Sequence, residues 1–290
     1  GIPQELLDGV QVRMREFFAL PVEEKRSIER TATNHWGFFD RELTKNVRDW
    51  KEIFDVGPAA TRGPMAGSLP QWPSSLPAFR PTMTAFYAAC EGLARRLVGA
   101  IAEALGVPAR ILLDAFGPGH TSFLRLNHYP PCDDPAPPDA PTMPAAGELG
   151  VHHHTDAGAL TLLLQDDHPG LQVERDGRWH LVEPRPDALV ANIGDIVQVW
   201  SNDRYRAALH RVLANRTASR YSAPFFFNPT AETVYAPLRC GGPAHPARYR
   251  PIRWGEFRAA RAAGDYADAG EEIQVSHFRL ADVGAPDRAP

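Results

Sequence analysis

Cysteine is scarce in this chain of 290 residues. Cys90, Cys132 and Cys240 are scattered and odd in number, which argues against a disulfide framework and for a reducing compartment, the cytoplasm. No apolar run approaches the roughly 20 residues of a membrane span, so no membrane partner is expected. Blocks of like charge are also missing: 31 Lys and Arg against 35 Asp and Glu give a formal net charge of −4. Without a basic patch, nucleic acid is not an expected partner. The chain opens at Gly1-Ile2-Pro3 with neither Met nor signal peptide, so a missing N-terminal segment is expected.

What is present is enough for a large core: 43% hydrophobic and 23% charged residues. Residues 4–19 carry apolar side chains at helical spacing, and Pro21 ends that helix and opens a short second one. Residues 34–57 read as aromatic and irregular, and 58–82, rich in Pro and Gly, as a surface loop. The longest helical pattern runs over 83–105, another begins at Pro108, and helix returns around 253–263. Between them the period changes. Short alternating or apolar runs at 121–129, 151–155, 159–165, 171–174, 189–193, 195–200, 208–214 and 220–227 predict about eight strands. Helices long enough to connect a parallel sheet are absent there. The expected fold is therefore mainly β with flanking helices: a jelly roll, or double-stranded β-helix of the cupin kind, over 120–235. A helical region over 1–119 packs on it and a helical extension follows over 236–290, all as one compact unit. Residues 130–149 hold seven prolines and are expected to form a lid-like loop at the mouth of a site, with 280–290 loose.

Chemistry concentrates in Gly150-Val151-His152-His153-His154-Thr155-Asp156 and in His210. Residues two apart on a strand point the same way, so His154 and Asp156 project a nitrogen and a carboxylate into one space, and His210 from a later strand completes the set. Two His and one carboxylate on one face of a metal are the ligands of non-haem Fe(II) oxygenases. Taken singly, each His is more simply a satisfied structural residue; the strand context and the third ligand favour the metal. His153 faces away from His154, and His152 faces the same way but has no carboxylate two residues on. Both read as structural.

Arg220 and Ser222 share one strand face, where a guanidinium and a hydroxyl make a clamp for a carboxylate. The neighbours Ala223-Pro224-Phe225-Phe226-Phe227 read as barrel interior, and no Asp or Glu accompanies the arginine there. Arg125, Asn127 and Tyr129 share a face with Phe123, opposite Leu124 and Leu126. That strand reads as buried on both sides with a polar site within it. Trp36, Phe38 and Phe39 are most simply core, although one or two can wall a pocket.

Together these motifs resemble the isopenicillin N synthase-like family of Fe(II)/2-oxoglutarate oxygenases over nearly the whole chain. The matching stretches are Gly1-Ile2-Pro3, Asp49-Trp50-Lys51-Glu52, Asn127-His128-Tyr129-Pro130-Pro131-Cys132, His154 to Leu163, Asn192-Ile193-Gly194-Asp195, Trp200-Ser201-Asn202, His210-Arg211-Val212 and Arg220-Tyr221-Ser222. The resemblance implies that His154, Asp156 and His210 ligate Fe(II). It implies that Arg220 and Ser222 hold the distal carboxylate of 2-oxoglutarate, assisted by Tyr129 and Asn127, and that Phe226 lines the substrate pocket. Phe38 stands where the family often has Tyr, which removes a hydroxyl from that place.

The expected activity is a dioxygenase using Fe(II), 2-oxoglutarate and O2 to hydroxylate, desaturate or cyclise a small molecule, with release of succinate and CO2. The retained Asp156 argues against halogenation. An oxidase that uses the same clamp for its own substrate's carboxylate is the first rival, and a non-oxidative cupin-like metal protein the second. Arg125, pointing into the cavity, predicts a carboxylate-bearing substrate. Phe38, Phe226 and Phe123 predict a partly apolar or ring-containing one. A role as a hydroxylase of specialised metabolism, acting as a monomer or weak oligomer, follows from the family alone.

Overall fold

Strand alternation over 123–227 sorts side chains to two faces, and the computed structural model buries both. It describes residues 1–59, 66–140, 147–238, 246–264, 268 and 270–280. The strands are β1 (Gly37–Phe39), β2 (Leu43–Thr44), β3 (Val47–Arg48), β4 (Glu52–Val56), β5 (Phe123–Tyr129), β6 (Leu149–His154) and β7 (Leu160–Gln165). They continue as β8 (Leu171–Arg175), β9 (Arg178–Leu181), β10 (Val190–Ile193), β11 (His210–Leu213), β12 (Arg220–Phe227), β13 (Val234–Tyr235) and β14 (Ile252–Arg253). A six-stranded sheet in the order β1-β4-β5-β12-β7-β10 faces a four-stranded sheet, β6-β11-β8-β9. Every ladder in both is antiparallel. This is the jelly-roll pair of sheets that the strand spacing predicts.

The outer face of the large sheet carries Leu124, Leu126, Leu160, Leu162, Leu164, Ala223, Phe225 and Phe227. They pack against helix α1 (Gln4–Phe18) through Val10, Met14 and Phe17, and against the helix at Phe79–Leu105 through Phe86, Cys90 and Ala94. One apolar core thus runs from Leu7 to Val275. Between α1 and the long helix, which is α3, a short α2 spans Val22–Arg26. α3 begins at Phe79, earlier than the periodicity suggests, because Pro81 sits in its first turn, where no helical N–H is required. α4 (Arg110–Leu113) runs into a 3-10 turn, and α6 (Trp254–Gly264) is followed by a short 3-10 helix at Val275–Phe278.

Two expectations are corrected. The apolar run at 195–200 is a helix, α5 (Asp195–Trp200), with Ile196, Val197, Val199 and Trp200 all buried; a short, wholly buried run does not reveal its period. Residues 34–57 are not irregular: β1 and β4 extend the large sheet. The described part of the 130–149 loop is tied to β11. Its carbonyls at Pro138 and Ala140 accept hydrogen bonds from Arg211, which faces outward from β11, while Ala136 and Ala140 pack on Leu213. Residues 141–146 of that loop, and 281–290 at the C-terminus, lie outside the described residues.

Candidate active site

His154 ends β6 and pairs with His210 at the start of β11. Asp156 lies just past the strand, in the turn leading to β7. Its place is therefore set by that turn and not by strand parity. The Asp195 amide donates to the Asp156 carbonyl at 2.8 Å, and Arg261 of α6 donates to the Thr155 carbonyl at 3.1 Å. Gly194 allows this approach, since a Cβ there would lie 2.6 Å from the Asp156 carbonyl oxygen.

The three ligand groups lie within 4.8 Å of one another. The His154 Nδ1–H donates to the His152 carbonyl at 2.8 Å, and the His210 Nδ1–H to the Ala208 carbonyl at 2.9 Å. Each bond leaves Nε2 free, and both Nε2 atoms point at Asp156 Oδ1, at 3.6 and 3.7 Å. The other oxygen, Oδ2, accepts from the Thr161 hydroxyl at 2.6 Å and from Asn192 Nδ2 at 2.7 Å. Thr161 and Asn192 are cross-strand partners on β7 and β10. One carboxylate oxygen is thus committed and one presented, and partners of this kind orient metal ligands. Burial alone would raise the Asp156 pKa, but His210, His154 and Thr161 hold it well below the carboxylate range. Burial, with the nearby His154, lowers the pKa of His210 and favours the neutral imidazole that a metal needs.

A β-bulge explains the other two histidines. Between the β6–β11 pairs Val151↔Val212 and His154↔His210, three steps on β6 oppose two on β11. Val151 and His154 therefore both face the cavity, and His152 does not face the same way as His154, correcting the parity argument. Its amide and its ring nitrogen both donate to Asp49 Oδ1 at 3.0 Å. His153 is buried, with no partner for its Nδ1 among the described residues.

At the other end of the same cavity, Arg220 is 1% exposed. Its Nη2 donates to Gln165 at 2.7 Å and its Nε to the His168 carbonyl at 3.1 Å, while its face lies on the Tyr129 ring. Its Nη1 has no hydrogen-bond partner among the described residues, and neither has Asn127 Oδ1. Asn127 Nδ2 and the Tyr129 hydroxyl reach Ser222 Oγ at 3.2 and 3.5 Å. A buried guanidinium with one donor unmet and no carboxylate beside it fits an anionic ligand. The donor set at the triad fits a divalent iron with open positions.

Arg125 also lines this cavity, but its charge is already matched. It makes four hydrogen bonds of 2.7 to 2.8 Å to Glu42 and Asp55. Arg30 joins Asp55 at 2.9 Å, and Lys51 bridges Glu42 and Asp49, both at 2.8 Å. Three cations and three carboxylates form one buried chain ending on His152. Lys51 lines the cavity as well. Burial opposes its charge, yet Asp49 and Glu42 raise its pKa. The case for a carboxylate-bearing substrate on Arg125 therefore falls. Phe38 is corrected too: it is fully buried against Phe17 and Lys25 in the main core and lines none of the described cavities. Its neighbour Phe39, of opposite parity on β1, faces a cavity instead. Phe123 and Phe226 pack with centroids 4.8 Å apart and ring planes tilted by 31° at the cavity edge.

Jelly-roll sheets around a His–Asp–His triad with a buried arginine clamp define a non-haem iron oxygenase. Comparison with known proteins agrees. Residues 120–229 match the 2OG-Fe(II) oxygenase superfamily, and residues 1–77 match the N-terminal region described as non-haem dioxygenase in morphine synthesis. Jasmonate-induced oxygenase 4 of Arabidopsis thaliana is 33% identical, over 89% of this chain and 71% of its own length. Gibberellin 2-beta-dioxygenase 6 of Oryza sativa subsp. japonica is 32% identical, over 96% and 74%. Among solved structures, JOX2 in complex with 2OG, Fe and JA superposes with a TM-score of 0.80 at 27% identity, covering 97% of this chain and 80% of that one. A full-length Neurospora crassa protein in complex with alpha-KG and thymine gives 0.73 at 26%, covering 90% and 84%. The chain belongs to the 2OG-Fe(II) oxygenase superfamily and is an Fe(II)- and 2-oxoglutarate-dependent dioxygenase.

Proposed function

We propose that His154, Asp156 and His210 hold the iron, and that Arg220 and Ser222 bind the far carboxylate of 2-oxoglutarate with help from Asn127 and Tyr129. The observation that carries this is the Arg220 guanidinium, buried and one donor short, at the opposite end of the cavity from the triad. Bound iron and 2-oxoglutarate together supply O2 activation, with release of succinate and CO2. The chain's residues do the positioning. The carbonyls of His152 and Ala208 fix the imidazoles, and Thr161 with Asn192 fixes the carboxylate. Tyr129, Val151, Leu171 and Val212 keep that end of the cavity apolar, which excludes water and strengthens the charge contacts.

The reaction proposed is oxidation of a C–H bond, with hydroxylation as its simplest outcome. The substrate is a small, partly apolar, ring-containing molecule beside Phe226 and Phe123, in specialised metabolism. Relatives named as a gibberellin 2-beta-dioxygenase and a flavonol synthase/flavanone 3-hydroxylase support that class. Cytoplasmic action is proposed from the scattered cysteines, of which Cys90 and Cys132 are free and buried, and a monomer or weak oligomer from the family alone. No helix among the described residues is long and apolar enough to cross a membrane.

The test is product analysis under turnover. Succinate should form from 2-oxoglutarate, and formation should fail without Fe(II). O2 consumption and substrate oxidation without succinate would instead favour an oxidase that uses the Arg220 clamp for its own substrate.

A further inference from the structure

The space on the iron ligands is small. The cavity containing His154, Asp156, His210 and Arg220 measures about 90 Å³, and the one beside it, reaching Phe123, Phe226 and Arg258, about 120 Å³. By the same measure a third cavity, sharing Phe123 and Arg258 with the second, holds about 500 Å³. Ligand pockets are typically of this larger size, roughly 300 to 1,000 Å³. A cosubstrate on Arg220 and the proposed iron would take up the first space, and the nearest larger room for a substrate is the cavity on the other side of Phe123 and Arg258.

The third cavity lies between the chain entering β1 and helix α6; Trp36, Phe39, Phe123 and the alanines of α6 make its apolar walls, and Thr31, His35, Arg30, Asp55 and Arg258 line the remainder. Three aromatic rings face three alanines, so the helix side is low enough to leave the room and the opposite side offers flat apolar surface. The walls are fixed before any ligand arrives. Trp36 Nε1–H donates to the Pro58 carbonyl at 3.1 Å, and its ring lies so close to Gly57 that a Cβ there would sit 2.6 Å away. Phe123 is held by Phe226 and Trp36, with centroids at 4.8 and 5.9 Å, and by the Arg258 guanidinium at 5.9 Å. Asp55 on the inner wall is paired with Arg30 and Arg125. Ala259 and Ala263 are exposed, so the cavity opens to solvent at the helix.

We propose that this outer cavity is the substrate chamber, and that the substrate is a largely apolar molecule of at least two rings. Its far rings lie between Trp36, Phe123 and the alanine face of α6, and its reacting carbon passes Phe123 and Phe226 to the iron. The proposal rests on the reading of the triad as the iron site and adds the size and shape of what is oxidised. A single-ring molecule such as a nucleobase would leave most of the chamber unfilled and lose that contact area.

The experiment is calorimetric binding of 2-naphthol and of thymine to the Fe(II)·2-oxoglutarate enzyme without O2. The naphthol should bind, with thymine at least about tenfold weaker. Ala262→Trp and, at the exposed mouth, Ala259→Trp fill the chamber and should each weaken the naphthol about tenfold or more. Ala260→Trp, on the same helix but outside the cavity, should not. Equal naphthol affinity in wild type, Ala259→Trp and Ala262→Trp, or thymine binding as tightly as naphthol, would overturn the proposal. The visible band of bound 2-oxoglutarate is recorded in the same samples. Its absence in the wild type counts against the cosubstrate reading, while the naphthol affinities judge the chamber independently.

Discussion

Asp156 has one carboxylate oxygen left to offer the proposed iron, because Thr161 and Asn192 occupy the other. Thr161→Val keeps the shape of that side chain and removes one of the two hydrogen bonds to Oδ2, leaving Asn192 alone to orient the carboxylate. Outer partners of metal ligands typically contribute about 10–100-fold in affinity, so Fe(II) titration of Thr161→Val should show a loss of about that size with the fold intact. His153 makes a different prediction. Burial first, then the nearby Lys45, His152 and His154, push its pKa from 6.5 down to about 4. Below pH 6.5 the unfolded chain takes up a proton that the folded one refuses, so stability falls from about 6.5 toward 4 and levels off below. Replacing His153 by Leu should flatten that part of the curve of urea midpoint against pH; an unchanged slope would contradict the burial. At this scale the sequence was legible where spacing is local. His154, Asp156 and His210 stand together, whereas Phe38 was misassigned because one residue of strand parity separates the core from the cavity.

The buried chain of charges joins β4, through Asp55, and β5, through Arg125, to the segments around Arg30, Glu42, Asp49 and Lys51, and it was not legible. Asp49 and Lys51 sit in a recognisable stretch, but their partners come from distant segments: Glu42 meets Arg125 across 83 positions, and Arg30 meets Asp55 across 25. No local pattern announces such pairs. Glu42→Gln leaves Arg125 and Lys51 short of a counter-charge, which should cost about 3–5 kcal/mol in chemical denaturation. Asp40→Asn, which removes exposed pairs to Arg26 and Arg41, should cost less than about 1 kcal/mol. Equal losses would mean that the network is not desolvated. The strands β5 and β12 were readable because alternation persists over their whole length. α5 was not, because a buried run shows no alternation to read. The bulge in β6, which turns His152 toward Asp49, leaves no mark in the sequence.

Over the whole molecule, the helices at the two ends of the chain do different work. α1 and α3 close the back of the large sheet, while α6 reaches the site through Arg261 and walls the outer cavity. The fold class followed from strand spacing, and the oxygenase class from the triad together with the Arg220 clamp. The outer chamber did not, since it joins Trp36 to Ala262 across almost the whole chain. The central claim is that Arg220 holds 2-oxoglutarate over a His154–Asp156–His210 iron. It is tested most directly by titrating 2-oxoglutarate into the Fe(II) enzyme without O2 and following the visible charge-transfer band, in wild type and in Arg220→Gln. The charged hydrogen bonds lost in the variant are worth about 1.5–3 kcal/mol, so its titration should shift to roughly 10–100-fold higher 2-oxoglutarate with Fe(II) binding unchanged. Superimposable titrations, or no band in the wild type, would contradict the account.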